Sequence, residues 1–216
     1  MKCIFRCVLS NAALACLVLF PEIAPAAILP APTSFSASSE FGGPYVAGAL
    51  FDGTVTDADL GVTVYGVSDN QWAGVGPGPH NLFMDFGATI SASGIAYAQR
   101  AGAFGGNNDK VGKIELWFSN SDFGSVLPAT PAQATVNPSV PSPNSGVLLN
   151  YPLGSLLTGR YVAARFTALD TTIPPNVNNI GGSELRLTIP EPTAISILFL
   201  LGSVALAVAR SKRGTH

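Results

Sequence analysis

The amino-acid sequence predicts an all-β domain, a jelly-roll β-sandwich, with an apolar helix at each terminus of the chain. Short runs rich in β-branched and aromatic residues are bounded by Gly, Pro, Asn or Ser, and no helical period appears between them. Glycine and proline are frequent, at 23 and 17 of the 216 residues. Since the longest apolar runs lie at the two termini, the middle of the chain is expected to be a turn-rich, rather polar domain.

Charge and cysteine content exclude several classes of protein. Between Ile28 and Ile189 there are six Lys and Arg residues against eleven Asp and Glu residues, a net charge of −5. An acidic domain is a poor partner for nucleic acid, which requires a basic face. All three cysteines lie in the first sixteen residues, so a processed chain would have neither a disulfide nor a thiolate metal site.

The first 26 residues have the organisation of a secretory signal peptide. Lys2 and Arg6 precede an apolar stretch from Val8 to Phe20, and Ala24 and Ala26 are the small residues that signal peptidase requires before its cleavage point. A buried helix would need an amphipathic stripe, which this stretch lacks. A lipoprotein site at Cys16 is poorly supported, because the residues before it lack the expected leucine. Export through the Sec pathway is therefore expected.

Six segments of the middle region are predicted as strands. Each is short, rich in β-formers and bounded by turn residues: Asn81–Phe86, Ser93–Tyr97, Lys113–Ser119, Gly146–Tyr151, Arg160–Thr167 and Ser183–Ile189. Trp117 and Phe118 are consecutive in one of them and must face opposite ways, so one is expected in the core and the other under a loop. Residues 128–144 hold five prolines, which predicts a long mobile loop.

In chain order, residues 36–189 resemble the galactose-binding-like sandwich of discoidin domains and of the C-type domains of coagulation factors five and eight. The resemblance is carried by Ala37-Ser38-Ser39-Glu40, Ala49-Leu50-Phe51-Asp52-Gly53, Trp72, Leu82-Phe83-Met84-Asp85-Phe86-Gly87, Ser93-Gly94-Ile95-Ala96-Tyr97, Lys113-Ile114-Glu115-Leu116-Trp117-Phe118-Ser119-Asn120, Gly159-Arg160-Tyr161-Val162 and Gly182-Ser183-Glu184-Leu185. The chain departs from the family in a longer insert, Val55–Asn70, and in lacking the cysteine pair of many eukaryotic members.

The resemblance implies a structural Ca²⁺ near the Asp-Gly loop. Asp52 and Glu184 match the two carboxylate positions of that site. Calcium takes six to eight oxygen ligands, so backbone carbonyls or Thr54, Asp57 and Asp59 would have to contribute. The alternative is that Asp52 caps a turn before Gly53 and that Glu184 is a solvated strand residue.

The resemblance also implies a sugar site in the loops at one end of the sandwich, where an aromatic ring stacks on the sugar and Arg or Asn binds its hydroxyls. The candidate residues in or beside such loops are Tyr45, Trp72, Arg100, Asn107 and Asn108. The alternatives are that Trp72 belongs to the core and that Arg100 is a surface cation.

Catalysis finds little support in the sequence. His80 is the one histidine of the middle domain and lies in a Gly- and Pro-rich turn, with no Gly-x-Ser-x-Gly or His-Glu-x-x-His motif around it. Asp57 and Asp59 could pair for glycoside chemistry, but two carboxylates at i and i+2 more often form a solvated turn or ligate a cation. We expect that the protein is not an enzyme.

The C-terminal segment, residues 190–216, combines three features. Pro190-Glu191-Pro192 precedes an uncharged run over residues 193–209, and Arg210, Lys212 and Arg213 follow. A helix over that run would be about 25 Å long, at the short end of what crosses a hydrocarbon core, and it can span if its end residues snorkel, with its basic end on the cytoplasmic side. This pattern resembles the PEP-CTERM sorting segment of Gram-negative bacteria.

The PEP-CTERM resemblance implies processing by an exosortase, with an inner-membrane-anchored intermediate before release to the cell surface or extracellular matrix. A simple C-terminal anchor is the alternative. Together these features predict a non-catalytic surface protein that binds or organises extracellular polysaccharide. A structural or adhesive protein that contacts other proteins is the second hypothesis, and a secreted hydrolase is the third.

Overall fold

Two strands of 20 residues each, β5 (His80–Gln99) and β9 (Leu149–Ala168), form the frame of the fold. The computed structural model describes residues 26–66, 69–76, 78–101, 109–140, 145–169 and 179–190. The remaining strands are β1 (Ala26–Ile28), β2 (Ser34–Ala37), β3 (Val64–Tyr65), β4 (Trp72–Ala73), β6 (Val111–Ser119), β7 (Ala134–Val136), β8 (Gly146–Val147) and β10 (Gly181–Pro190). Two short 3₁₀ turns span Ala47–Leu50 and Asp57–Asp59.

The long strands pair antiparallel over their whole lengths and change layer together. Their register runs from His80 opposite Phe166 to Tyr97 opposite Leu149, with two irregularities, between Asp85 and Ile90 and between Ala92 and Gly94. Irregularities of this kind bend paired strands. Each strand therefore contributes one half to each of two facing layers.

The other strands add to the edges of these layers. In layer one the order is β2, the first half of β5, the second half of β9, β6 and β7. In layer two β10 pairs with the second half of β5, and its other edge is covered by β4 at one end and β1 at the other. A separate short pair is formed by β3 and β8.

Alternating residues of the two layers meet in one core. Leu82 of layer one and Leu185 of layer two belong to the same buried cluster, together with Tyr97 and Phe166. The rings of Tyr97 and Phe166 lie 6.1 Å apart, and Trp72 packs edge-on to Phe166 at 5.0 Å. The arrangement is a β-sandwich, so the predicted all-β sandwich class is confirmed.

Loops cover the outer face of each layer. Trp117 and Phe83 of layer one lie under Phe123 and Leu127, whereas Phe118 points into the core. The prediction that one of the pair Trp117 and Phe118 is core and the other loop-covered is thus confirmed. On layer two, Ala96, Ala98 and Leu148 are covered by Val55, Leu60 and Tyr65. The long insert noted in the sequence is therefore a packed cover.

Three features of the fold differ from the sequence prediction or lie beyond it. The segments predicted at 81–86 and 93–97 are two halves of β5, because the strand continues through its bend. The stretch predicted as a mobile loop includes β7, which pairs with β6 through Leu116 and Ala134. The predicted signal peptide lies outside the described residues except for Ala26, and the sorting segment lies outside them from Glu191 onward. Among the described residues, no helix is long and apolar enough to cross a membrane.

A candidate ligand-binding mouth

Both ends of β5 and of β9 lie at the same end of the sandwich, which we call the mouth. The bends lie at the opposite end, the base. At the mouth the two layers are joined by Gln99, whose Nε2 donates to the Val111 carbonyl at 2.7 Å while its Oε1 accepts from the Val111 N–H at 3.0 Å. This buried side chain fixes the start of the segment that carries Arg100.

Three side chains of the mouth form a stack that reaches solvent. The guanidinium carbon of Arg100 lies 4.9 Å from the ring centroid of Tyr45, and Tyr45 meets Phe41 edge-on at 5.9 Å. Phe41 is 53% exposed and Tyr45 is half-buried. Their loop is held to β4, since the Phe41 N–H donates to the Ala73 carbonyl at 2.7 Å. The stack therefore has a fixed backbone beneath it and an open apolar surface above it.

Charged groups lie directly beside this stack. Arg100 Nη1 donates to the Asn179 carbonyl at 2.8 Å and is 3.9 Å from Asp109 Oδ2. Asp109 Oδ1 pairs with the Lys110 ammonium at 2.9 Å, and that ammonium also donates to the Arg100 carbonyl. Burial lowers the pKa of Lys110, and the Asp109 carboxylate opposes that shift. Among the described residues, Arg100 Nε and Asp109 Oδ2 have no hydrogen-bond partner.

The structure brings together two of the five predicted sugar-site residues, Tyr45 and Arg100. Trp72 is fully buried and donates its indole N–H to the Ser39 carbonyl at 3.2 Å, which agrees with the core alternative. Arg100 is 6% exposed and is therefore not a surface cation. Asn107 and Asn108 lie outside the described residues. Sequence reasoning did not include Phe41, although an aromatic residue directly before Gly42 and Gly43 is a signal for an exposed loop ring.

The described residues that could support catalysis are engaged in structural contacts. His80 is buried, donates from Nε2 to the Gly76 carbonyl at 3.0 Å and lies against Trp72. Asp59 accepts from the Thr56 N–H at 2.6 Å, which holds the pKa of Asp59 below its usual value. Asp57 accepts from the Ile28 N–H at 2.5 Å. None of these hydrogen bonds joins Asp57 or Asp59 to a residue of the mouth stack.

Two grooves lie on the outer face of layer one, and the first includes an exposed ring, that of Phe35, which is 40% exposed. One, of about 250 Å³, is lined by Phe35, Asp122 and Tyr161. The other, of about 560 Å³, runs beside Trp117, which is only 4% exposed, and Arg165, which is committed to Glu115 at 2.7 Å. The mouth differs from both grooves because its stacked arginine, Arg100, is buried and its stack continues to the exposed Phe41 ring.

The chain has structural neighbours among sugar-binding sandwiches. A family 32 carbohydrate-binding module from Clostridium perfringens NanJ, solved with galactose, is 17% identical, with a TM-score of 0.46 over 72% of this chain and 93% of that one. Chitosan-binding module 1 from a Paenibacillus chitosanase/glucanase is 15% identical, with a TM-score of 0.47 over 71% and 92%. A fucolectin from striped bass serum is 14% identical, with a TM-score of 0.47 over 72% and 46%.

No family model and no curated protein matches the chain.

The residues predicted to hold calcium lie on the outer face of layer two and are only partly brought together. Glu184 is fully buried behind Gly53, and its Oε2 accepts from the Tyr65 hydroxyl at 3.3 Å. Burial raises the pKa of Glu184, against the opposing effects of Arg186 and of the Tyr65 hydrogen bond. Asp52 accepts from the Asn70 amide at 2.7 Å. The described residues contain no group of three His, Cys, Asp or Glu side chains that could hold a metal.

The alternative interpretation, that Glu184 is a solvated strand residue, is wrong, because its side chain is fully buried. Its strand face is covered by the insert, so the carboxyl group lies beneath the Asp-Gly loop. A Cβ at Gly53 would lie 2.4 Å from Glu184 Oε2, so a larger residue there would push the Glu184 carboxyl group out of its position. Arg186 forms an ion pair with this carboxyl group, with Nη1 2.8 Å from Oε1, although Oε1 has no hydrogen-bond partner among the described residues.

Proposed function

We propose that the sandwich is a non-catalytic module that binds polysaccharide at its mouth. The observation that carries this proposal is the Phe41–Tyr45–Arg100 stack, which ends in a Phe41 ring that is 53% exposed. A sugar ring has an apolar C–H face and a rim of hydroxyl groups. It therefore needs an aromatic surface next to fixed donors and acceptors.

The charges of the mouth suit hydroxyl recognition. Arg100 and Asp109 are 6% and 4% exposed, so they would supply a donor and an acceptor only to a sugar that enters beside the Tyr45 ring. Both are held in place, Arg100 by its bond to the Asn179 carbonyl and Asp109 by its ion pair with Lys110. Hydrogen bonds to charged groups are about twice as strong as neutral ones, so few are needed for specificity. With the Lys110 ammonium beside Asp109, the cluster carries two positive charges and one negative.

A binding role agrees better with the described residues than a catalytic one. His80 is buried against Trp72 and its observed hydrogen bond is to a backbone carbonyl, so it has no reach to a substrate at the mouth. Asp57 and Asp59 are hydrogen-bonded within their own cover segment or to β1. A hydrolase would need a carboxylate pair across one open site.

We further propose that the module works outside the cell. The support comes from the sequence: a signal peptide over residues 1–26 and a Pro-Glu-Pro, apolar and basic segment over residues 190–216. The signal peptidase and an exosortase are the processing partners that these segments imply. The natural ligand of an exported module of this kind is an extracellular polysaccharide.

The experiment is a binding screen of the full chain on an array of exported bacterial glycans, followed by titration calorimetry on the best glycan. Phe41→Ala removes an exposed ring and Tyr45→Ala a half-buried one. Each is expected to weaken binding at least tenfold, about 1.4 kcal/mol, without loss of the folded state. Arg100→Ala should do the same if it folds.

The matched control is Arg165→Ala. Arg165 also stacks on an aromatic ring, at 5.4 Å from Trp117, but it lies on layer one away from the mouth. Its loss should leave affinity unchanged. If the Phe41→Ala and Tyr45→Ala variants bind the glycan as tightly as the unaltered chain does, the proposed site is wrong. A chain that binds no glycan of the array and self-associates would overturn the proposal in favour of an adhesive surface protein.

A further inference from the structure

We infer that the guanidinium of Arg186 is the resident cation of the Asp-Gly loop, so that this loop needs no calcium ion. Arg186 is 5% exposed and lies beneath the loop. Its Nη2 donates to the Gly53 carbonyl at 2.7 Å and to the Phe51 carbonyl at 3.1 Å. Its Nη1 donates to the Leu50 carbonyl at 3.2 Å.

These oxygens are of the kind that a calcium site would use. Calcium takes backbone carbonyls and carboxylates at 2.3–2.6 Å from the ion. Here three loop carbonyls turn toward one guanidinium, and the Glu184 carboxylate is its ion-pair partner at 2.8 Å. The residues of the loop therefore do not fit a calcium ion, because the position that such an ion would take is filled by a side chain of the protein.

A second cation could not share this position. Two positive charges a few ångströms apart in a buried region repel strongly, and the arginine cannot lose its proton to relieve the repulsion. The Phe51 ring closes one side of the guanidinium, with its centroid 5.7 Å from the guanidinium carbon. Calcium would have to displace Arg186 and leave that charge buried without its partners.

The spacing along β10 explains how one strand supplies both charges. Glu184 and Arg186 are two residues apart, so they point to the same face of layer two. Leu185 between them points into the core. The loop carbonyls need a cation where the loop approaches this strand. The strand provides that cation as Arg186, together with the Glu184 carboxylate that balances its charge.

This inference does not depend on ligand binding at the mouth. The first experiment measures the metal content of the purified full chain by mass spectrometry and its melting temperature with added calcium or with a calcium chelator. We expect no stoichiometric metal and the same melting temperature in both buffers. Stoichiometric calcium, or a rise in melting temperature with calcium that is lost in Glu184→Gln, would overturn the inference.

The second experiment compares two arginines. Removing one partner of a buried ion pair is strongly destabilising, so Arg186→Ala should lower the melting temperature by roughly 10 °C, in calcium or in chelator alike. Arg165→Ala removes a partly exposed arginine that also pairs with a glutamate and should lower it far less. Equal losses in the two variants would overturn the inference.

A double variant keeps the test decisive if Arg186→Ala does not fold. Arg186→Met combined with Glu184→Gln removes both charges together and leaves no buried ion without a partner. It should melt at a higher temperature than Arg186→Met alone, because the two losses are coupled. A double variant that is less stable than the single one would show that the two side chains act separately.

Discussion

At the scale of single residues, His80 shows how a turn histidine becomes a structural group. It begins β5, its ring lies edge-on to Trp72 at 6.3 Å, and its Nε2 donates to the Gly76 carbonyl. A Cβ at Gly74 would lie 2.3 Å from the ring, so the histidine fills the space that this glycine leaves. Burial lowers the pKa of His80 below its usual value of 6.5.

This pKa shift predicts a loss of stability in mild acid. The unfolded chain takes up a proton on His80 near pH 6.5, whereas the folded chain resists protonation until a lower pH, so the unfolded state binds more protons between those two values. The free energy of unfolding should therefore fall as pH drops below about 6.5, by at most about 1.4 kcal/mol per pH unit from this group.

Urea unfolding at a series of pH values from neutral to mildly acidic checks this expectation. His80→Gln keeps a side-chain donor for the Gly76 carbonyl but cannot titrate, so its stability should depend less on pH across the same range. The comparison uses the slope and not the absolute stability, which the change in packing will also alter. Identical slopes in the two proteins would show that His80 does not control the acid response.

Of the mouth stack, Tyr45 and Arg100 were predicted from the sequence as members of one site, whereas Phe41 was not. Tyr45 and Arg100 each belong to a loop that the sequence singles out, yet they are 55 positions apart and meet only because β4 and β5 converge there. Arg186 was not predicted as a partner of Glu184. Its role depends on the carbonyls of Leu50, Phe51 and Gly53, and the approach of this loop to β10 leaves no local periodic signal.

At the scale of elements, each outer cover is fixed to its layer by a few specific bonds. The cover of layer one runs across Trp117, whose indole N–H donates to the Thr130 carbonyl at 2.9 Å. Farther along this cover, Gln133 exchanges bonds with β6, since its N–H donates to the Leu116 carbonyl at 2.9 Å. The β7 pairing then continues the sheet.

We predict that Trp117→Phe loosens this cover without unfolding the sandwich. The ring still fills the space under Phe123 and Leu127, but the bond to Thr130 is lost, which should cost about 1 kcal/mol. Hydrogen exchange measured by mass spectrometry should become faster for the backbone amides of residues 126–133.

Trp72→Phe is the matched control, because it also removes an indole bond, to the Ser39 carbonyl at 3.2 Å, but at the mouth. It should leave exchange in residues 126–133 unchanged. Unaltered exchange of that segment in Trp117→Phe would mean that packing alone holds the cover in place.

Strands were easier to predict than their limits. Alternation in residues 160–166 and the β-rich runs identified the segments of the frame, since side chains that face a core repeat every second residue. The continuity of β5 and β9 through the bend was not predicted, because residues 86–92 include exposed, polar positions there. The strand β7 was hidden by the prolines around it, which favour a loop in any sequence-based reasoning.

At the scale of the whole molecule, the two predicted processing points are neighbours. Ala26 lies opposite Pro190 in the pairing of β1 with β10. Cleavage after Ala26 would remove only the first residue of β1, and the pairs Ala27 with Ile189 and Ile28 with Thr188 would remain. The proposed export is therefore compatible with an intact sheet edge.

Mass spectrometry of the protein recovered from its cells tests this proposal. We expect a chain that begins at Ala27 and lacks the signal peptide. A chain that retains both Met1 and His216 would contradict processing at either end. Deletion of residues 27–29 should destabilise the processed chain, since Ile28 packs against the cluster of Ala96, Ala98 and Leu148 and β1 covers the edge of β10.

The course of β10 determines how the module would stand on a membrane. This strand has ten residues and runs from Gly181 at the mouth to Pro190 near the base, a length of about 30 Å. A tether that follows Pro190 would thus leave from the end of the domain farthest from Phe41 and Tyr45. Phe41 and Tyr45 would then point away from the membrane, at a distance of about one strand length from the lipid headgroups.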